Sequence, residues 1–139
     1  MTNTAVDLDR LRYLRIVTEA YMSWRRGGVH LGMASAARVI GIPQPVENRR
    51  VIDLSTDDFT LIDRRYAKLE AWTRAVLDVE YNESGSVKQK ARFFGVDGDR
   101  YTPDEYRAAV LEAETVFYVA LLPQIEWWEQ AKPMRRRTA

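Results

Sequence analysis

The sequence predicts an all-α protein, and three observations favour that class. Apolar residues recur every three or four positions along segments that begin near Asp7, Ser55 and Pro103. Capping boxes of the form Ser/Thr-x-x-Glu/Gln precede the last two apolar segments, and no segment shows the apolar–polar alternation of a half-buried strand. Because 139 residues suit one domain, we expect a single compact helical domain over residues 1–139.

The composition excludes several classes of protein. Hydrophobic residues make up 46% of the chain, which is too many for wholesale disorder. The absence of cysteine excludes disulfide frameworks and thiolate metal sites. No apolar run approaches the roughly 20 residues that cross a bilayer, and the start MTNTAVDLDR lacks the apolar stretch of a signal peptide. We therefore expect a cytoplasmic protein that contacts no membrane.

Apolar stripes define the first two long helices. One covers residues 7–25 and ends at Gly27–Gly28, a pair that favours a left-handed stop. The other is capped by Ser55 or Thr56, and its stripe over residues 59–79 predicts six turns without a break.

Capping boxes mark the starts of the last two helices. Ser86 and Gln89 open a short helix that stops at Gly95, and Thr102 and Glu105 open a long one.

The long last helix contains several residues with a predicted position. Pro123 is expected to kink or end the helix, and Glu112 and Glu114 are expected on its outer face. Trp127 and Trp128 point about 100° apart on a helix, so both cannot enter one core. One of them is expected to face a partner or a second copy, or else to be half-buried under the basic tail.

Two segments have no clear periodicity. Residues 29–53 predict a short helix over 33–40 and then a surface loop or arm over 44–53. Residues 132–139 are typical of a basic, frayed tail.

Little in the sequence favours an enzyme. His30 is the single histidine and lies in a glycine-bordered loop, where a histidine is most often solvated. No glycine-rich phosphate loop is present, and the acidic residues Asp57, Asp58 and Asp104 are explained by their places at helix starts. The sequence therefore predicts no catalytic residue, no metal site and no cofactor.

Residues from about 57 to 122 follow the order helix, turn, small helix, turn, helix. This order is typical of helix-turn-helix DNA readers and also of plain helical bundles. Hydrogen-bond donors cluster around the small helix and the start of the last one. The candidate residues for binding double-stranded DNA are Lys88, Gln89, Lys90, Arg92, Arg100 and Arg107. The same residues can instead keep a small helix soluble, and the sequence leaves both interpretations open.

Two features argue against DNA reading by this chain alone. The linker over residues 95–102 exceeds the three or four residues of a compact helix-turn-helix. Asp104 and Glu105 in the first turn of the last helix repel phosphates, although a carboxylate can accept from a cytosine amino group. We therefore expect modest DNA contact and a protein partner that supplies much of the binding.

Over roughly residues 10–122 the chain resembles the phage late-gene antitermination Q proteins, in the group without a zinc motif. The resemblance lies in YMSWRRGG at the end of the first helix and in IDRRYAKLEAWTRAVLDVEY. It continues in GSVKQKARFFGV, with its serine, basic residues and glycine stop, and in YRAAVLEAETVFYVALL.

This resemblance implies a function. Proteins of this family bind DNA at a late promoter, load onto paused RNA polymerase and let it read through pauses and terminators. Their helix-turn-helix is similar to region 4 of sigma factors, so the resemblance implies a sigma-region-4-like fold over about residues 57–122. It also implies a bacterial RNA polymerase, with or without its sigma factor, as a partner in the host cytoplasm. The residues that it places toward DNA are Lys88, Gln89, Lys90, Arg92 and Arg107.

The longer VDGDRYTPDE turn departs from the family pattern, so the base-reading residues are not carried over. Residues 29–53 are the candidate contact with polymerase. The alternative hypothesis is a helical protein-interaction module without DNA binding, such as a phage accessory or assembly protein. The salt dependence of DNA binding distinguishes the two hypotheses, because affinity that comes from phosphate contacts falls steeply as the salt concentration rises.

Overall fold

The computed structural model describes residues 8–27, 50–96 and 99–136. These residues are predominantly helical, which confirms the predicted all-α class. The helices are α1 (Leu8–Arg25), α2 (Thr56–Ala67), α3 (Ala71–Asn82), α4 (Val87–Ala91) and α5 (Pro103–Ala131). The two-residue strands are β1 (Arg50–Val51), β2 (Gly95–Val96), β3 (Asp99–Arg100) and β4 (Arg135–Arg136). The helix expected over 33–40, the loop expected over 44–49 and His30 lie outside the described residues.

Helix α5 forms the centre of the core and packs against α1, α2, α3 and α4. Its buried side chains recur every three or four positions from Tyr106 to Trp128. By length and composition alone α5 would also pass as a membrane-spanning helix. Its place at the centre of the core accounts for the apolar residues on its buried side.

Three predicted helix starts are confirmed. Ser55, Ser86 and Thr102 each accept a hydrogen bond from the backbone N–H three residues on, and the side chain of that later residue accepts one in return. Each box pairs donors that the first turn of a helix otherwise leaves without partners. The start of each of these helices is therefore encoded locally.

The predicted unbroken helix over residues 59–79 is wrong, because the chain turns at residues 68–70. Lys68 ends α2, and Glu70 is in extended conformation just before α3. At this turn the Tyr66 hydroxyl donates to the carbonyl oxygen of Arg74 at 3.0 Å. A straight helix cannot make that contact, since it rises about 12 Å over eight residues. The turn lets the buried faces of α2 and α3 reach the same core.

Helix α5 does not end at Pro123 and continues to Ala131. A proline inside a helix costs about 3 kcal/mol, because one N–H donor is lost and the ring crowds the preceding turn. Beyond it, Ile125 and Trp128 are fully buried. Burial of two such side chains contributes about 1.5–3 kcal/mol each, which outweighs the local cost.

The tail is docked rather than frayed over its described part. β4 pairs antiparallel with β1, so residues 50 and 51 belong to a ladder and not to a surface loop. The Arg135 guanidinium donates to both carboxylate oxygens of Asp53 at 2.9 Å. The Lys132 ammonium contacts Asp58, and the Tyr13 hydroxyl donates to the Lys132 carbonyl oxygen at 2.7 Å.

Candidate nucleic-acid interface

Helix α4 is held against the core by its inner side. It has five residues, too few for a stable isolated helix, so its position depends on these contacts. Ala91 is buried, and the Lys90 ammonium donates to the carbonyl oxygen of Glu80 at 2.9 Å. The Lys90 side chain is 14% exposed and also lies 3.6 Å from the Glu80 carboxylate. Lys90, expected to face DNA, therefore fastens α4 to α3.

The outer side of α4 is open and basic. Lys88 and Arg92 are exposed and four residues apart, so they share one face of the chain. Neither forms an ion pair with any residue that the structure describes. Gln89 is exposed too, but its side-chain oxygen accepts from the Ser86 N–H at 2.8 Å and completes the cap. Lys88 and Arg92, two of the basic residues predicted to bind DNA, are thus exposed to solvent on one face.

A hairpin of β2 and β3 occupies the linker that the sequence showed to be long. Gly95 pairs with Arg100, and Val96 pairs with Asp99. Gly95 has a φ of +137°, and a Cβ there would lie 1.9 Å from the Asp99 carbonyl oxygen, so glycine is required. The hairpin brings Arg100 to the end of α4, where its guanidinium donates to the Arg92 carbonyl oxygen at 3.2 Å.

Phe93 is an exposed aromatic residue that the sequence interpretation missed. Its side chain is 59% exposed, whereas the next residue, Phe94, packs on Tyr101 and Tyr106 with ring centroids 5.9 Å apart. The inward spacing of Val87, Ala91 and Phe94 was a usable signal, because it leaves position 93 outside. We use the name α4 surface for the exposed set Lys88, Arg92, Phe93 and Arg100.

Arg107 lies one turn into α5 and is paired within its own helix. Its guanidinium donates to Asp104 at 2.9 Å, and the two side chains are 61% and 95% exposed. Glu105 is engaged in the Thr102 cap. An ion pair this exposed contributes at most about 1 kcal/mol, so a phosphate can displace Asp104 from Arg107. The acidic first turn of α5 is in this way partly neutralised.

A groove of about 660 Å³ lies beside this region, lined by residues of α1, α3, α4 and α5. Its lining includes the apolar side chains of Ile16, Val110 and Leu111 and the charged side chains of Arg12 and Arg107. The groove therefore joins apolar and charged walls next to the start of α5.

Glu114 also lines this groove and was predicted wrongly to lie on the outer face of α5. Its side chain is 3% exposed. Arg15 donates two hydrogen bonds of 3.0 Å to the carboxylate, and the Tyr81 hydroxyl donates a third at 2.7 Å. Burial raises the pKa of Tyr81, and the neighbouring Glu114 raises it further, so Tyr81 remains a donor. These contacts make Glu114 a fully partnered buried ion that holds α1, α3 and α5 together.

Across residues 8–27, 50–96 and 99–136, no group of three or more His, Asp and Glu side chains is placed to hold a metal ion. The predicted lack of metal, cofactor and catalytic residues stays a prediction.

No family model, curated protein or solved structure matches this chain. The resemblance to the antitermination Q proteins therefore rests on sequence motifs alone and stays a prediction.

Proposed function

We propose that this protein is a transcription antitermination factor that binds double-stranded DNA through the α4 surface and acts on RNA polymerase. The observation that supports the DNA contact is the cluster of Lys88, Arg92 and Arg100 at the junction of α4 and the hairpin. All three side chains are exposed, and none is paired with a carboxylate among the described residues.

Such a cluster suits the phosphate backbone of a duplex. Each cation that neutralises a phosphate releases counterions, which makes binding favourable at low salt. The supports of the cluster are already in place, because the Ser86 cap and the Lys90–Glu80 contact position α4 and the Gly95 ladder positions the hairpin. Because α4 and the hairpin are already held in position, less of the chain has to become ordered when DNA binds.

The start of α5 supplies the candidates for base contact. Arg107 can donate to guanine, and Asp104 can accept from a cytosine amino group. The overall charge of +1 gives little long-range attraction to DNA, so a modest affinity is expected from these local contacts. RNA polymerase, the partner that the sequence resemblance implies, would supply the remaining binding.

Fluorescence anisotropy with a random-sequence duplex of about 30 base pairs tests the DNA contact without knowledge of the target site. Non-specific contacts of this kind give a Kd of about 10⁻⁴ to 10⁻⁶ M at physiological salt. With three phosphates neutralised, the plot of log Kd against log salt concentration should rise with a slope of about 3.

The paired substitution Lys88→Glu with Arg92→Glu is expected to abolish this binding and leave the circular dichroism spectrum unchanged. Arg64→Glu with Lys68→Glu is the matched control, because those residues are also exposed, four positions apart and basic. The control makes the same change in net charge on α2 and its C-cap. Equal losses of affinity in both paired variants would show that the α4 surface is not the contact.

Transcription through a terminator by purified bacterial RNA polymerase tests the antitermination activity. Addition of the wild-type protein should increase read-through on templates that carry its own late promoter, and the Lys88→Glu with Arg92→Glu variant should not. If the wild-type protein binds DNA but leaves termination unchanged, the antitermination activity is refuted and the proposed DNA contact stands.

The alternative function, a protein-interaction module without DNA binding, is favoured by one observation. Val116 and Val119 are exposed apolar side chains on α5, the helix at the centre of the core. If the wild-type protein shows no salt-dependent binding to DNA, this alternative becomes the better account.

A further inference from the structure

Phe93 presents its aromatic ring to solvent from a fixed backbone. Its N–H donates to the Lys90 carbonyl oxygen at 3.1 Å, and the N–H of Phe94 donates to the Ala91 carbonyl oxygen at 3.2 Å. Phe94 packs inward on Tyr106, which leaves Phe93 outside with 59% of its side chain exposed. Single exposed apolar residues are common on proteins, so the neighbours of Phe93 decide what its ring can bind.

Two arginines adjoin Phe93, one at the end of α4 and one in the hairpin. The Arg100 guanidinium donates at 3.2 Å to the Arg92 carbonyl oxygen, which belongs to the peptide bond that joins Arg92 to Phe93. This contact holds Arg100 beside the backbone of Phe93 and leaves most of its N–H donors for a phosphate. Lys88 extends the row of cations by one helical turn, because it lies four residues before Arg92.

The helical positions place the ring and the α4 cations on one side. At about 100° per residue, Lys88, Gln89, Arg92 and Phe93 fall within an arc of about 140°. All four are exposed, whereas Ala91, which lies outside this arc, is buried. Arg92 keeps the helical conformation of α4, so the spacing holds up to the ring. A strand that crosses this side therefore meets the ring and the cations together.

An exposed ring among cations is the combination that binds single-stranded nucleic acid. The phosphates contact the cations and an unpaired base stacks on the ring, which every kind of base can do because each has an aromatic face. In a duplex the neighbouring bases cover those faces, so a side chain reaches them only after the bases unstack. Phe93 therefore suits an unpaired base, whereas the cations suit both forms of DNA.

We propose that Phe93 stacks on an unpaired base of single-stranded DNA while Arg92 and Arg100 contact phosphates of the same strand. The inference rests on the proposed function, because it uses the same cations, and it adds unpaired DNA as a ligand of the α4 surface. DNA is the assigned nucleic acid because the α4 surface is the proposed contact with duplex DNA. The cations that hold a duplex there also suit a strand that separates from it.

Fluorescence anisotropy with a strand of about 15 deoxyuridine nucleotides tests the stack, because such a strand does not pair with itself and has the length of a single-strand site. Phe93→Ala should weaken binding to this strand about tenfold, the effect expected when one base loses its aromatic platform. The loss for a random-sequence duplex should be smaller by about fivefold or more, because the phosphate contacts remain. Phe93→Trp should bind the strand at least as tightly as the wild type, since an indole also stacks on bases.

Trp127→Ala is the matched control, because it also removes an exposed aromatic ring. Trp127 is 57% exposed, close to the 59% of Phe93. It lies near the far end of α5, about 30 Å along the helix from Arg107. This variant should bind the strand as the wild type does. The circular dichroism spectra of Phe93→Ala and Trp127→Ala should both match that of the wild type, since each change is on the surface.

Phe93→Trp also reports the stack directly. The fluorescence of this variant should fall on addition of the strand by more than that of the wild type, whose four tryptophans give the background. The duplex should cause a smaller fall, because its bases remain stacked on one another. An equal change of fluorescence in the variant and the wild type would overturn the proposed stack.

Equal affinity of the wild type and Phe93→Ala for the strand would overturn the proposal, and so would an equal loss in Trp127→Ala. It is also overturned if Phe93→Ala loses as much affinity for the duplex as for the strand. Tighter binding of a uridine RNA strand of the same length would overturn the assignment of DNA, because the RNA strand adds a 2′-hydroxyl.

Failure of the proposed duplex contact gives a different result, because it is measured with the wild type and the duplex alone. If the wild type binds the strand through Phe93 but does not bind the duplex, the duplex contact is refuted and the stack on an unpaired base stands. If the duplex binds and the loss of Phe93 leaves binding to the strand unchanged, the stack is refuted and the duplex contact stands.

Discussion

At the scale of single residues, Glu114 shows how a charged side chain can belong to the core. Glutamate is rarely buried unless its charge is paired and its oxygens accept hydrogen bonds. Arg15 from α1 and Tyr81 from α3 supply those donors. The sequence analysis placed Glu114 on the outer face of α5. That prediction failed because no local pattern shows that donors on two other helices converge on this carboxylate.

Replacement of Arg15 by methionine should destabilise the protein strongly. Arg15→Met leaves the Glu114 carboxylate buried with Tyr81 as its remaining donor. The Glu114 charge then stays buried with fewer donors, but the Arg15 side chain is 52% exposed, so the loss is smaller than for a fully buried pair and we expect about 1–3 kcal/mol. Urea denaturation followed by circular dichroism measures this change as a lower free energy of unfolding.

The double variant Arg15→Met with Glu114→Gln provides the control. It removes both charges and keeps an amide oxygen that can accept from Tyr81. Replacement of both members of a buried pair is often nearly neutral, so the double variant should be more stable than Arg15→Met alone. A double variant less stable than Arg15→Met would contradict this account of the Glu114 pair.

At the scale of helices and strands, the sequence predicted the starts of helices better than their interruptions. The caps at Ser55, Ser86 and Thr102 depend on residues three positions apart, so they are visible locally. The break at residues 68–70 has no glycine or proline, and the apolar spacing continues in phase across it. Contacts such as that between Tyr66 and Arg74 join the two helices across the turn, and a helical pattern does not reveal them.

The candidate interface, like the helices, was only partly predictable from the sequence. The exposure of Lys88 and Arg92 follows from helical spacing once the inward positions of α4 are assigned. The position of Lys90 does not follow from spacing, because it is determined by the carbonyl group of Glu80 on another helix. The hairpin that carries Arg100 was missed because two-residue strands are too short to show alternation.

Substitution of Pro123 tests the account of α5 as a continuous helix. Pro123→Ala restores a backbone N–H in the middle of the helix and removes the ring that crowds the preceding turn. The alanine also gives the unfolded chain more freedom, which offsets part of the gain. We expect the free energy of unfolding to rise by about 1–2 kcal/mol, measured by urea denaturation. A lowered urea midpoint would contradict this interpretation.

At the scale of the whole molecule, a junction formed by Asp58 and Lys132 joins three distant parts of the chain. Asp58 belongs to the first turn of α2, and the indole N–H of Trp128 in α5 donates to it at 3.3 Å. The Lys132 ammonium contacts the same carboxylate, and the Lys132 carbonyl oxygen accepts from Tyr13 in α1. The ladder of β1 and β4 lies next to this junction along the chain. The Asp58 carboxylate thus ties α2 to the end of α5, and the Lys132 carbonyl oxygen ties that end to α1.

This junction should make the protein sensitive to acid. Burial by itself acts to raise the pKa of Asp58, but the hydrogen bonds from Lys132 and Ser55 outweigh it and lower the pKa below its ordinary value. A carboxyl whose pKa is depressed by folding stabilises the protein above its unfolded pKa of about 3.9. That contribution is lost as the pH falls through the folded pKa. The free energy of unfolding of the wild type should therefore fall below about pH 4.

Asp58→Asn should lower stability at pH 7 and reduce the further loss below pH 4, because its side chain does not titrate. Asp53→Asn is the comparison, since Asp53 also has a pKa lowered by its partner, Arg135, but is exposed. Exposed ion pairs contribute little, so Asp53→Asn should follow the wild-type acid profile closely. Urea midpoints measured between pH 7 and pH 3 distinguish these outcomes. If wild type and Asp58→Asn lose the same stability between those values, the acid sensitivity arises at carboxyl groups other than Asp58.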